Sequence, residues 1–97
     1  MMSYDDFMKL SEELKIDPKE YLPESFEEIF DEFDYNAEDV KKFSKKSLVT
    51  VRRWCHSGEL KIQSKRPYIC KGIDIKRKLF KDIYQQNIAP RLKDLIV

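Results

Sequence analysis

At Gly58 the hydropathic period of this chain changes from 3.6 residues to 2, and no other feature constrains the fold as much. Two short amphipathic stretches precede it. Asn36 is a cap for the first, which carries Val40 and Phe43 inward, Lys41, Lys42, Lys45 and Lys46 outward, and Glu38 and Asp39 in the first turn, where the helix dipole favours acids. After a break near Lys45-Lys46-Ser47, Ser47 caps the second, Leu48 to about Ser57, with Leu48, Val51, Trp54 and Cys55 on one face. Gly58 stops that helix by taking the left-handed conformation a helix end prefers. Leu60 and Ile62 then alternate with Lys61 and Gln63, Ser64-Lys65-Arg66-Pro67 supplies a turn, and Tyr68-Ile69-Cys70 a second β-prone run. The expected fold class is mainly α with a short β-hairpin whose tip is basic.

The flanks extend this plan. Asp74 is expected to cap a helix with Ile75, Leu79, Ile83 and Tyr84 inward and Lys76, Arg77, Lys78 and Lys81 outward, which Pro90 ends or kinks. On the other side, Ser3 and Asp6 open a helix running to about Lys15 with Phe7, Leu10 and Leu14 at helical spacing. Asp17-Pro18 starts a short turn, interrupted at Pro23. Ser25 with Glu28 then predicts a further helix with an apolar stripe of Phe26, Ile29, Phe30 and Phe33. Such a stripe needs burial. The chain thus divides into an acidic helical extension (1–34), a central unit (35–90) and an apolar tail (91–97), in which Leu92, Leu95 and Ile96 are the expected partner contacts.

Charge follows the same division. Residues 1–39 hold fourteen Asp/Glu against three Lys (net −11), and residues 40–97 hold sixteen Lys/Arg against four Asp/Glu (net +12), so a total of +1 conceals two opposed halves. A basic block suits a polyanion, and an acidic block suits a basic protein surface. Three readings of the acidic block stay open: it packs on the rest, it docks another protein, or it folds over the basic face in place of nucleic acid.

Against that background, the run from Ser47 to Leu60, Ser-Leu-Val-Thr-Val-Arg-Arg-Trp-Cys-His-Ser-Gly-Glu-Leu, resembles the S-x-x-T-V-R-R-W-x-x-S-G-E-L signature of excisionase and MerR-like winged helix-turn-helix domains of phages and mobile elements. Arg66-Pro67-Tyr68-Ile69 stands where that family has its wing-return strand, and Gly72-Ile73-Asp74-Ile75 where it often has a glycine before a capped helix. The resemblance covers roughly residues 35–82. It departs at Ser44-Lys45-Lys46, which replaces the usual apolar-Gly-apolar turn. The resemblance implies that the second helix enters the major groove, so that Thr50, Arg52, Arg53 and His56 face DNA. Lys45, Lys46, Lys65 and Arg66 then neutralise phosphates, and Ser47 and Lys61 join the set. Trp54, at helical spacing beside Val51, is expected in the core.

Other chemistries fail on the residues. Two glycines leave no phosphate-cradling loop. Cys55, His56 and Cys70 make a poor zinc set, because neighbouring residues on a helix diverge by about 100° and no fourth ligand is evident. The stretch from Asp34 begins like a calcium loop, but Asp39 and Lys45 occupy the positions that need Gly and Glu. Cys55 inward and His56 outward form no nucleophilic pair. No cofactor, metal or enzymatic activity is expected. With 97 residues, two cysteines, no secretory leader and no membrane-length apolar run, the chain reads as one soluble, cytoplasmic protein. The leading expectation is a non-enzymatic DNA-binding protein, either an excisionase-like architectural factor or a small transcriptional regulator, with duplex DNA as partner and single strands as the alternative. The other expectation is an accessory subunit of a mobile-element replication or recombination complex, joined to a protein partner through the acidic helices or the tail.

Overall fold

The computed structural model describes residues 1–96, and residues 1–94 with their side chains. Helix α1 spans Tyr4–Leu14, and 3-10 turns follow at Pro18–Glu20 and Glu24–Glu28. Then come β1 (Asp34–Asn36), α2 (Ala37–Ser44), α3 (Leu48–Ser57), β2 (Ser64–Lys65), β3 (Tyr68–Lys71) and α4 (Gly72–Ile83), and a π-helical turn, Tyr84–Ile88, leads into α5 (Ala89–Ile96). The protein is mainly helical, with a small antiparallel sheet in the order β1-β3-β2. No helix among the described residues is long and apolar enough to cross a membrane.

The predicted caps around α1, α2 and α3 form. Ser3 accepts from the Asp6 N–H, and Asn36 and Asp39 close a reciprocal capping box. Ser47 accepts from the Thr50 N–H, and Gly58 ends α3 at φ 87°. The hairpin is shorter than its alternation suggests. Leu60 is buried not as a strand residue but at the end of α3, where its N–H donates to the Trp54 carbonyl at 3.2 Å. Pairing starts at Ser64, opposite Ile69, and Arg66-Pro67, a cis peptide, make the two-residue tip between Lys65 and Tyr68.

The second N-terminal helix does not form. Ser25 caps nothing, because Glu24–Glu28 is a 3-10 turn entered from Pro23, after which the chain extends into β1. The stripe therefore splits, with Phe26 and Ile29 buried and Phe30 and Phe33 exposed at 57% and 59%. Strand β1 was not expected. It pairs Tyr35 with Cys70 on β3.

Asp74 is not a cap either. The helix starts two residues earlier, at Gly72, and its first N–H groups are taken by main-chain carbonyls from the acidic segment: Gly72 N–H donates to Phe33 O at 2.9 Å and Ile73 N–H to Asp31 O at 3.1 Å. Asp74 lies in the first turn instead, buried, and accepts from Arg77 at 3.2 Å.

Helix α4 is covered on two sides. Ile75 and Leu79 are buried as predicted, and so is Phe80, which meets Phe7 at 5.3 Å and Tyr4 at 5.8 Å between ring centroids. Lys78, expected outward, is buried with its ammonium 4.7 Å over the Trp54 ring, held by Asp82 at 2.8 Å and Glu59 at 3.2 Å. A buried cation is tolerable there because two carboxylates and an aromatic face compensate its lost hydration. One core runs through the molecule from Tyr4 and Phe7 to Val51, Trp54, Ile75 and Leu92. The extension thus packs on α4 and enlarges a core that about 60 residues alone would leave small.

The α-helix begun at Gly72 stops at Ile83, ahead of Pro90, and the π-helical turn Tyr84–Ile88 joins it to α5. Pro90 falls in the first turn of α5, directly after that π-helical turn, whose last bond runs from the Ala89 N–H to the Tyr84 carbonyl. Leu92, expected as a partner contact, is 3% exposed within the protein's own core. Arg91 beside it stacks 4.1 Å over the Tyr21 ring and donates to the Glu20 carbonyl. The Leu95 and Ile96 side chains lie outside the described residues.

Candidate nucleic-acid interface

Capping fixes which face of α3 meets solvent. With Val51, Trp54 and Cys55 turned into the core, a 3.6-residue period leaves Val49, Arg52, Arg53 and His56 outside, and all four are exposed. Lys45 and Lys46 are exposed in the turn ahead of α3, Lys65 and Arg66 at the hairpin tip, and Lys61 between the two elements. Ser47 and Thr50 differ from the rest of the proposed set. Their hydroxyls bond each other at 2.9 Å, and Ser47 also serves as the helix cap, so both already have intramolecular duties. Thr50 is half-buried.

The turn into α3 is tight. Lys45 closes α2 in the left-handed region, φ 59° and ψ 28°, and its N–H donates to Lys41 O at 2.9 Å. A glycine would take that conformation without strain. Here a cation occupies it.

Three carboxylates of the acidic segment pair with cations outside this set. Asp34 pairs with Lys71 at 3.2 Å, Asp31 with Lys76 at 2.8 Å, and Asp5 grips Arg77 with both oxygens, at 3.2 and 2.9 Å. All three cations belong to β3 or α4. Among the described residues no carboxylate lies within 4.0 Å of Lys45, Lys46, Arg52, Arg53, Lys61, Lys65 or Arg66. Lys41 and Lys42, on the exposed side of α2, share this condition. They extend the expected set, and their spacing on the polar face of α2 next to Lys45 is the sequence signal for them.

Beneath this surface, Cys55 on α3 and Cys70 on β3 are buried. Burial raises both thiol pKa values, that of Cys70 to about 12 with further help from Cys55 beside it. They are protonated and serve as packing between helix and hairpin rather than as nucleophiles. His56 points to solvent, away from both.

Comparison with family models, with curated proteins and with solved structures finds no match to this chain.

Proposed function

We propose that the protein is a non-enzymatic DNA-binding protein in which α3 and the β2–β3 hairpin form a winged helix-turn-helix surface. The observation that carries this reading is the set of exposed cations on α2, the α2–α3 turn, α3 and the hairpin tip that have no carboxylate within 4.0 Å among the described residues, while Asp5, Asp31 and Asp34 of the acidic segment pair with Arg77 and Lys76 on α4 and with Lys71 at the far end of β3. Concentrated like charge costs free energy by self-repulsion, and a polyanion removes that cost. The order α2, α3, hairpin, α4 supports the same reading, because two short helices, a two-stranded wing and a further helix is the order the sequence resemblance implies. Arg52 and Arg53 are the base-reading candidates, since a guanidinium fork can grip guanine O6 and N7 together. The lysines act on phosphates. The phage or mobile-element setting, as excisionase-like factor or small regulator, comes from the resemblance.

Salt titration of the full chain on duplex, followed by fluorescence anisotropy, tests the proposal. If about five phosphates are neutralised, log K falls against log salt with a slope of roughly −4 to −5, and less steeply on single strands. A slope near zero, or no binding at low salt, refutes it. On a selected target, Arg52→Ala or Arg53→Ala should cost about 1–3 kcal/mol and relax specificity, while Lys65→Ala weakens all duplexes alike. Equal losses on selected and random DNA for both arginines would instead favour an accessory subunit that grips without reading.

A further inference from the structure

The acidic segment displays an aromatic surface that the fold goes to some length to hold outward. Phe30 and Phe33 pack together at 5.0 Å between centroids, their rings tilted by 38°, and both are more than half exposed. Their backbone is pinned from four sides. Phe30 N–H donates to the Tyr35 hydroxyl at 2.9 Å, Phe33 N–H to Phe30 O at 3.1 Å, and the carbonyls of Asp31 and Phe33 cap α4. The Asp31 carboxylate is fastened to Lys76. Beside Phe30 opens a groove of about 630 Å³, floored by Leu22, Phe26 and Phe30. Its rim carries Asp17, Glu24 and Glu27. Two lysines also reach it, but Lys19 faces Glu27 at 3.8 Å and Lys76 faces Asp31, so the rim stays acidic.

We propose that this groove docks a Lys/Arg-rich segment of a partner protein that inserts one or two large apolar side chains against Phe30. The volume suits a few side chains. Aromatic anchors in a preorganised setting supply affinity, and the carboxylate rim supplies charge selection. A second copy of this chain fits less well. Its basic half has the charge, but Val49 is the one large apolar side chain exposed on α2, α3 or the hairpin among the described residues, and it is short for the groove. Pro23, Glu24 and Phe26 of this groove also line a cleft with Lys45 and Lys46, so the docking surface adjoins the α2–α3 turn of the proposed DNA-binding face, while Arg52 and Arg53 line neither cavity.

Selection of random 12-residue peptides displayed on phage, with the full chain as bait and a Phe30→Ser chain as counter-bait, tests this. Peptides enriched on the wild type should combine Lys or Arg with Leu, Phe or Trp. A synthetic copy of the most enriched one should bind at least tenfold more weakly to Phe30→Ser and to the Glu24→Lys/Glu27→Lys double variant, and equally well to Arg52→Ala. Thermal melts matching the wild type establish that the variants are folded. No enrichment over the counter-bait, enrichment of neutral or acidic peptides, or binding that survives Phe30→Ser overturns the proposal. Sedimentation showing a concentration-dependent dimer that Phe30→Ser abolishes also overturns it, by giving the groove to a second copy. Duplex binding is measured separately, so failure of one reading leaves the other standing.

Discussion

Gly72 lies so close to the Phe30 carbonyl that a Cβ at position 72 would stand 1.9 Å from the oxygen and 2.7 Å from its carbon. Main chain meets main chain there, and neither side can turn away as a side-chain tip could. The contact lets the Phe30–Phe33 segment sit on the N-terminus of α4 and cap it. Gly72→Ala should therefore separate the acidic extension from α4 and cost about 1–3 kcal/mol or more in urea denaturation. A variant as stable as the wild type would show that the joint is soft.

The two apolar surfaces of the flanks carry different loads. Phe26 is 5% exposed and Leu92 is buried, so Phe26→Ala should lower stability by about 3–5 kcal/mol and Leu92→Ala by about 2–5 kcal/mol. Phe30→Ala should cost less than about 1 kcal/mol, because its ring is already largely in water. Removing residues 91–97 takes away Leu92 and the Arg91 contacts with Tyr21 and Glu20, and should unfold the protein at a lower temperature. Thermal melts of the four variants check the ranking, and a Phe30→Ala loss equal to that of Phe26→Ala contradicts it.

Lys45 combines backbone strain with a proposed phosphate contact. A non-glycine residue held at φ 59° costs roughly 1 kcal/mol. Lys45→Gly should raise stability by up to about that amount and simultaneously make the salt slope on duplex shallower by about 1. A variant that is more stable yet binds with an unchanged slope would remove Lys45 from the interface.

Alkaline stability has two identifiable sources. Burial, then the nearby Asp31 and Asp5 carboxylates, pushes the Tyr4 hydroxyl from 10.0 to about 12, and burial foremost pushes the Cys70 thiol from 9.0 to about 12. Both groups hold their protons more tightly in the folded chain than in the unfolded one. Their contribution is complete below about pH 9 and is lost as the pH climbs toward 12. Urea midpoints should fall across that window. In Tyr4→Phe the fall should be shallower, by up to about 1.4 kcal/mol per pH unit between 10 and 12. Identical slopes would mean that Tyr4 ionises freely in the folded state.

Local chemistry was legible in the sequence wherever neighbours in the chain decide the outcome. Ser3, Asn36, Ser47 and Gly58 mark helix ends through bonds spanning only a few residues, and the inward set Val51, Trp54 and Cys55 follows from helical period alone. The exposed arginines of α3 are the complement of that set. Tertiary structure decided the rest, because the deciding contacts join residues far apart in the chain. Helix α4 begins at Gly72 rather than at an Asp74 cap since carbonyls some forty residues earlier satisfy its first N–H groups. A periodicity argument assigns each helix one inner face, whereas α4 has α1 against one side and Trp54 against another, which buries Phe80 and Lys78 together. The Phe26 to Phe33 stripe reads as one face only if the segment is an α-helix. Pairing of β1 with β3 draws its end into extended backbone, and the two aromatics nearest the strand are left in solvent. Helix formation there would have retained four local hydrogen bonds at most, and the sheet and the α4 cap outcompeted them.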